Sequence, residues 1–107
     1  MQRGPESEDE LVALFAEDAV YVEPFSAGEH VGREAIREWL RRSWHDQPPG
    51  ISITVEQIDV VEQVVEAHWR CDSDAFVRPA RGRDRFTIRS GQIARLETRV
   101  LEPPETR

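Results

Sequence analysis

The sequence predicts an α+β domain, with two short helices in its first half and an antiparallel sheet of about four to five strands in its second. Three observations carry this. Before Gly50, apolar residues recur at helical spacing in two segments. After Gly50, β-branched residues dominate and apolar and polar residues alternate. One face of the resulting meander is apolar, and helices gathered on one face of such a sheet give the α+β class.

The elements follow in order. Residues 1–6 read as a frayed tail. Ser7 followed by Glu10 fits a capping box, in which each side chain satisfies the other residue's free backbone N–H. Leu11, Leu14 and Phe15 then predict a short helix over 7–17, ended by Asp18-Ala19. Val20 to Glu23 reads as a strand closed by Pro24, and "SAGEHVG" (26–32) as a loop. A second helix is expected over 33–44. Ile36, Trp39, Leu40 and Trp44 form its apolar stripe, and Arg37, Glu38, Arg41 and Arg42 its wet face. "HDQPPG" breaks the chain.

Ile51 to Val61 and Val64 to Cys71 read as strands. The latter puts Val65, Ala67, Trp69 and Cys71 on one face and Glu66, His68 and Arg70 on the other. Pro79 marks an edge or bulge between Phe76 and Gly82. Arg83 to Arg89 and Ile93 to Leu101 complete the sheet, and "EPPETR" (102–107) reads as a tail. The hairpin around Ser90-Gly91 is decided by parity, because a one-residue slip turns every side chain to the other face. A two-residue loop would put Arg95 and Glu97 on the face of Phe86. A three-residue loop, Arg89-Ser90-Gly91, puts Ala94, Leu96 and Thr98 there and is the better match. One face then carries Trp69, Asp84, Phe86, Leu96, Thr98 and Val100. The other carries His68, Arg70, Arg85, Arg89, Arg95, Glu97 and Arg99.

A length of 107 residues fits a single domain over 1–107, with a core over about 7–101 and tails at 1–6 and 102–107. The 14 basic and 21 acidic residues give a net charge of −7, which argues against nucleic acid and anionic membranes as partners. All 14 basic residues are arginine, so Schiff-base lysine chemistry and a P-loop lysine are excluded. Cys71 is the sole cysteine, so no internal disulfide forms. The N-terminus is polar and acidic, and no apolar run approaches the roughly 20 residues a spanning helix needs, so a cytoplasmic protein is expected. His68 and Cys71 point to opposite faces of a strand, and His30 and His45 sit in separate loops. No metal set and no cofactor is expected.

"LFAEDAVYVEP", "GREAIREWL" and "DRFTIRSGQIARL" resemble the nuclear transport factor 2-like superfamily, with the SnoaL-like polyketide cyclases and the ketosteroid isomerases as the nearest branches. The likeness covers about Leu11 to Leu101. It implies a cone-shaped, strongly curved sheet around helices, with a pocket inside. It also implies that Glu23 stands where the isomerases place a general base, an Asp in that branch. Asp84 stands where they place an acid that donates to the developing enolate oxygen; the handling of two carboxyls in this way is a known pattern for ketosteroid isomerase. Members usually begin with a longer helix, and in the isomerases the helical region supplies a tyrosine. Only six residues precede Ser7, and the sole tyrosine is Tyr21 on the strand. A more open cone, or one closed by a partner chain, is therefore expected.

Each candidate has two readings. Glu23 shares a strand face with Tyr21, where desolvation would prepare a carboxyl for proton transfer; alternatively it is an exposed strand-end glutamate, with Val22 in the core. Asp84 is either a buried functional acid or the ion-pair partner of Arg83 or Arg85. Tyr21, Phe25, Trp39, Trp69, Phe86, Leu96 and Thr98 either bind a substrate or fill the cone. His30 reads as a solvated loop residue, with an approach to the pocket mouth as its other reading, and Cys71 as a small hydrophobe. The charged outer face is a cross-strand ladder and a candidate homodimer interface. Two functions follow. One is an acid–base enzyme of isomerase, cyclase or dehydratase type acting on a small apolar carbonyl compound. The other is a non-catalytic ligand-binding or dimerisation module.

Overall fold

The computed structural model describes residues 7–25 and 28–107, so the expected tail at 1–6 lies outside the described residues. In chain order the elements are α1 (Glu8–Val12), β1 (Phe15–Val22), β2 (Glu29–Val31), α2 (Arg33–His45), β3 (Ser52–Val61), β4 (Val64–Asp72), β5 (Phe76–Arg78), β6 (Ala80–Arg89), β7 (Gln92–Glu102) and β8 (Glu105–Thr106). Six strands form one sheet in the order β2-β1-β7-β6-β4-β3, and β5 pairs with β8. The fold is α+β with an open, cone-like sheet and two helices. All pairings in the large sheet are antiparallel except β1 with β7, which is parallel.

The first helix is shorter than its periodicity predicts. It stops at Val12, and Ser7 makes no side-chain capping bond. The N–H of Ile93 donates to the carbonyl of Leu14 at 2.8 Å, and Phe15 pairs with Ile93 on β7. Pairing with a strand far along the chain thus overrides the local helical pattern, and Leu14, expected on the apolar stripe, is exposed. Residues 29–31, expected in a loop, form β2, which folds back on β1 with Tyr21 opposite His30. The expected C-terminal tail also pairs, since β8 aligns with β5.

The last hairpin keeps the predicted faces by a different device. Its loop is the two residues Ser90-Gly91, with Arg89 opposite Gln92. Both loop residues have positive φ, 51° and 77°, the demand of a primed hairpin turn. The register then shifts between Thr87 and Ile88, so that Phe86 faces Leu96 and Asp84 faces Thr98. The extra residue inferred from parity is a bulge at Ala94, not a longer loop.

The core lies where α2 crosses β1 and β7. Phe15, Ala16, Ala19, Ile36 and Leu96 are buried together, with Tyr21, Leu40, Phe86 and Ile93 packed against them. Gly32 opens α2 at φ 88°, and its N–H donates to the Ala19 carbonyl at 2.8 Å. Arg33 Nε reaches the carbonyl of Phe15 at 2.8 Å, and Arg37 and Arg41 both bind the Glu8 carboxylate, clasping α1 to α2. On the outer face Arg83, Arg85, Arg95 and Arg99 interleave with Glu66 and Glu97, the ladder that alternation predicts.

Candidate functional site

The site begins at the end of β1. Pro24 has no N–H, so the first backbone donor after Glu23 is Phe25, and it donates to Glu23 Oε2 at 2.6 Å. The β1–β2 hairpin swings His30 back, bringing its Nε2 to 3.2 Å from Glu23 Oε1. Glu23 is 3% exposed, so the reading of an exposed strand-end glutamate is overturned. His30 is corrected too: it lies on a strand, largely shielded, rather than in a solvated loop. Its imidazole stacks on Trp39, with ring centroids 5.1 Å apart and planes at 21°. Tyr21 meets the same imidazole edge-on at 6.3 Å, and the Arg42 guanidinium lies 5.8 Å from the Trp39 ring centre.

A second cluster lies on the other side of Tyr21. Its hydroxyl is 3.4 Å from Thr98 Oγ1, and Thr98 donates to Asp84 Oδ1 at 2.8 Å. With the Thr98 hydrogen committed to Asp84, Tyr21 is the donor in the first bond. Trp69 Nε1 donates to the same Oδ1 at 3.2 Å. The other oxygen of Asp84, Oδ2, has no hydrogen-bond partner among the described residues. Register explains the convergence: Thr98 is directly across from Asp84 on β7, and Ala67, two residues before Trp69, is directly across on β4. Asp84 makes no pair with Arg83 or Arg85, which bind Glu66 on the opposite face.

Burial dominates the electrostatics of this cluster. It pushes the Asp84 carboxyl above its ordinary value, and the bonds from Thr98 and Trp69 offset only part of that. It also pushes the Tyr21 phenol up, opposed by the Thr98 bond and reinforced by the charge of Asp84, so the phenol stays neutral. The two carboxyl groups are thus joined through one tyrosine, whose ring touches His30 and whose hydroxyl touches Thr98.

Of the nine residues singled out from sequence, Tyr21, Trp69, Asp84 and Thr98 come together in one hydrogen-bonded array, and Glu23 and Trp39 join through His30. Leu96 and Phe86 pack in the adjoining core. Phe25 stands apart, 74% exposed. His30 was not among the nine. Its signal was the pair of glycines, Gly28 and Gly32, that bracket "EHV" and mark a short returning strand. Two surface hollows of about 210 and 230 Å³ lie elsewhere. One is lined by Asp59, Val61, Val64, Glu66 and Arg85; the other includes His68, Trp69, Arg81 and Gly82. Neither borders Glu23 or Asp84. Among the described residues no helix is long and apolar enough to cross a membrane, and no three His, Cys, Asp or Glu side chains are grouped to hold a metal ion.

Comparison with solved structures gives the same architecture. A nuclear transport factor 2-like protein from Anabaena variabilis superposes with a TM-score of 0.78 at 17% identity, over 92% of this chain and 77% of that one. A candidate ketosteroid isomerase from Kribbella flavida gives 0.74 at 18% identity, over 95% and 71%. A candidate polyketide cyclase from Sinorhizobium meliloti gives 0.73 at 23% identity, over 88% and 87%. At these identities the likeness is one of fold. No curated protein matches this chain. The SnoaL-like domain model matches residues 5–96, and the chain belongs to that family.

Proposed function

We propose that this protein is an acid–base enzyme of isomerase, cyclase or dehydratase type, acting on a small, largely apolar carbonyl compound. The observation that carries the reading is Asp84. Its Oδ1 is held by Thr98 and Trp69, its Oδ2 has no partner among the described residues, and burial favours its protonated form. A neutral carboxylic acid fixed by one oxygen can donate from the other to a carbonyl oxygen as charge develops there. Glu23 supplies the basic end of the site, and the ring of Tyr21 separates the two. The polyketide cyclase and ketosteroid isomerase names attached to two structural neighbours suit this chemistry.

The test is hydrogen exchange at the carbon next to a carbonyl, followed by NMR in heavy water with β-tetralone as probe. The wild type should exchange the probe faster than buffer. Asp84→Leu should lose about 10²–10³-fold, as loss of one oxyanion donor does. Asp84→Asn keeps a neutral donor and should retain most of the rate. Equal rates in the wild type and Asp84→Leu refute the reading.

A second reading, a non-catalytic binding or assembly module, is favoured by the outward-facing Phe25, Val31, Ile58 and Val60, each more than half exposed. It expects no exchange of any carbonyl probe. Under either reading we propose a homodimer through the outer sheet face, which sedimentation equilibrium tests by mass.

A further inference from the structure

We infer that His30 is the group that exchanges the proton with the substrate, and that Glu23 is the residue that positions it. The inference rests on the acid–base reading above and reassigns the atom that meets the substrate. The Glu23 side chain is only 1% exposed. One of its oxygens is taken by the Phe25 N–H and the other faces His30. A carboxylate enclosed in this way has little open surface to present to a reacting carbon. The imidazole beside it is 16% exposed.

An ionised carboxylate only accepts hydrogen bonds, so opposite an ionised Glu23 the ring nitrogen that faces it carries the hydrogen. That nitrogen is Nε2. The lone pair of the neutral ring is then on Nδ1, which has no hydrogen-bond partner among the described residues. Stacking on Trp39 and the edge of Tyr21 fix the plane of the ring. The pair therefore has the logic of a base oriented by a carboxylate, here with Nδ1 as the nitrogen left without a partner among the described residues.

The step balances without a co-reactant. Nδ1 takes a proton from the carbon next to the carbonyl, and that C–H bond's electron pair becomes the enol double bond. The carbonyl oxygen takes up the charge against the Asp84 donor. The resulting imidazolium, flanked by Glu23, returns its proton to carbon at the same or a conjugated position. In heavy water a deuteron returns instead.

Two readouts on the full chain test this. Long-range nitrogen–hydrogen NMR of the histidine side chains should show His30 as the Nε2–H tautomer, and Glu23→Leu, which removes the acceptor, should abolish that preference. An Nδ1–H tautomer, or one indifferent to Glu23→Leu, overturns the inference without reference to turnover. In the β-tetralone assay, His30→Phe keeps a stacked ring and removes both nitrogens. It should lose about 10²–10⁴-fold in rate. Exchange that survives His30→Phe but not Asp84→Leu overturns this inference and leaves the acid–base reading standing. No exchange by the wild type, with the Nε2–H tautomer intact, overturns that reading and the proton-transfer role of His30 with it.

Discussion

Substitution of Gly82 by alanine tests the link between sheet packing and the candidate site. Gly82 on β6 sits opposite Trp69 on β4 and Val100 on β7. A Cβ placed there would lie 2.1 Å from Trp69 Cζ2, 2.5 Å from Cη2 and 2.4 Å from the carbonyl oxygen of Arg99. Carbon atoms pack at about 3.5–4.0 Å, so the indole must retreat by more than about 1.4 Å. The Arg99 carbonyl belongs to a paired strand and cannot retreat without opening the β6–β7 ladder. Overpacking of this kind costs about 1–3 kcal/mol. The retreat also breaks the 3.2 Å bond from Trp69 to Asp84, a further ~1 kcal/mol. The total is about 2–4 kcal/mol. With an unfolding entropy of about 2.1 cal/mol/K per residue, 107 residues give about 0.22 kcal/mol/K. Tm should therefore fall by about 9–18 °C, read by far-UV circular dichroism, with a shift in tryptophan emission. A Gly82→Ala melt within about 3 °C of the wild type, with unchanged emission, would refute the steric reasoning.

Three further outcomes follow from the same structure. Ile36→Ala removes a side chain that is 0% exposed under α2 and should cost about 2–5 kcal/mol in urea unfolding, whereas Leu14→Ala, 52% exposed, should stay within about 0.5 kcal/mol. Asp84 has a raised carboxyl in the folded state, so the stability it contributes is present in full below the ordinary Asp range and is lost as pH rises through its folded value. The Tm difference between Asp84→Asn and wild type should grow in the variant's favour from about pH 4 upward, and a flat difference contradicts the assignment. Glu8 shows the opposite sign. The hydrogen bond from Arg41 above all, with Arg37, holds its carboxyl down at about 2 against an ordinary 4.5. The advantage of wild type over Glu8→Gln should be present above 4.5 and vanish as pH falls toward about 2, measured by thermal melts in low salt.

The sheet was the most legible part of the chain, and its errors have a common cause. Parity along β6 and β7 identified the face shared by Phe86, Leu96, Asp84 and Thr98, because alternation depends only on whether residue counts are odd or even. One extra residue in the loop and one extra residue in a bulge give the same parity. The pattern therefore could not separate a three-residue turn from the two-residue turn with a bulge at Ala94 that the chain adopts. The stretch from Phe15 to Asp18 failed differently. Its local spacing is helical, but the Leu14 carbonyl accepts from Ile93 and Phe15 pairs with Ile93 on β7, more than seventy residues away in sequence. Nothing local to Phe15 records that partner.

The site divides along the same line, between what alternation reveals and what only pairing reveals. The sequence left Arg83 and Arg85 open as partners of Asp84, but neighbours on a strand point to opposite faces. The partners come from across the sheet, where Thr98 and Trp69 bind it. For Glu23 alternation gave a face shared with Tyr21 but no partner, because the partner comes from a hairpin whose return strand is three residues long. So short a strand has almost no periodicity to read. What can be read is chemistry: a carboxylate drawn into an apolar strand end must find donors or pay for its desolvation. Pro24 removes the nearest backbone donor and leaves Phe25 to supply one. The second oxygen needs another, and the first side chain with a nitrogen after the turn is His30. The contact at 3.2 Å is thus one that helps offset the burial of Glu23.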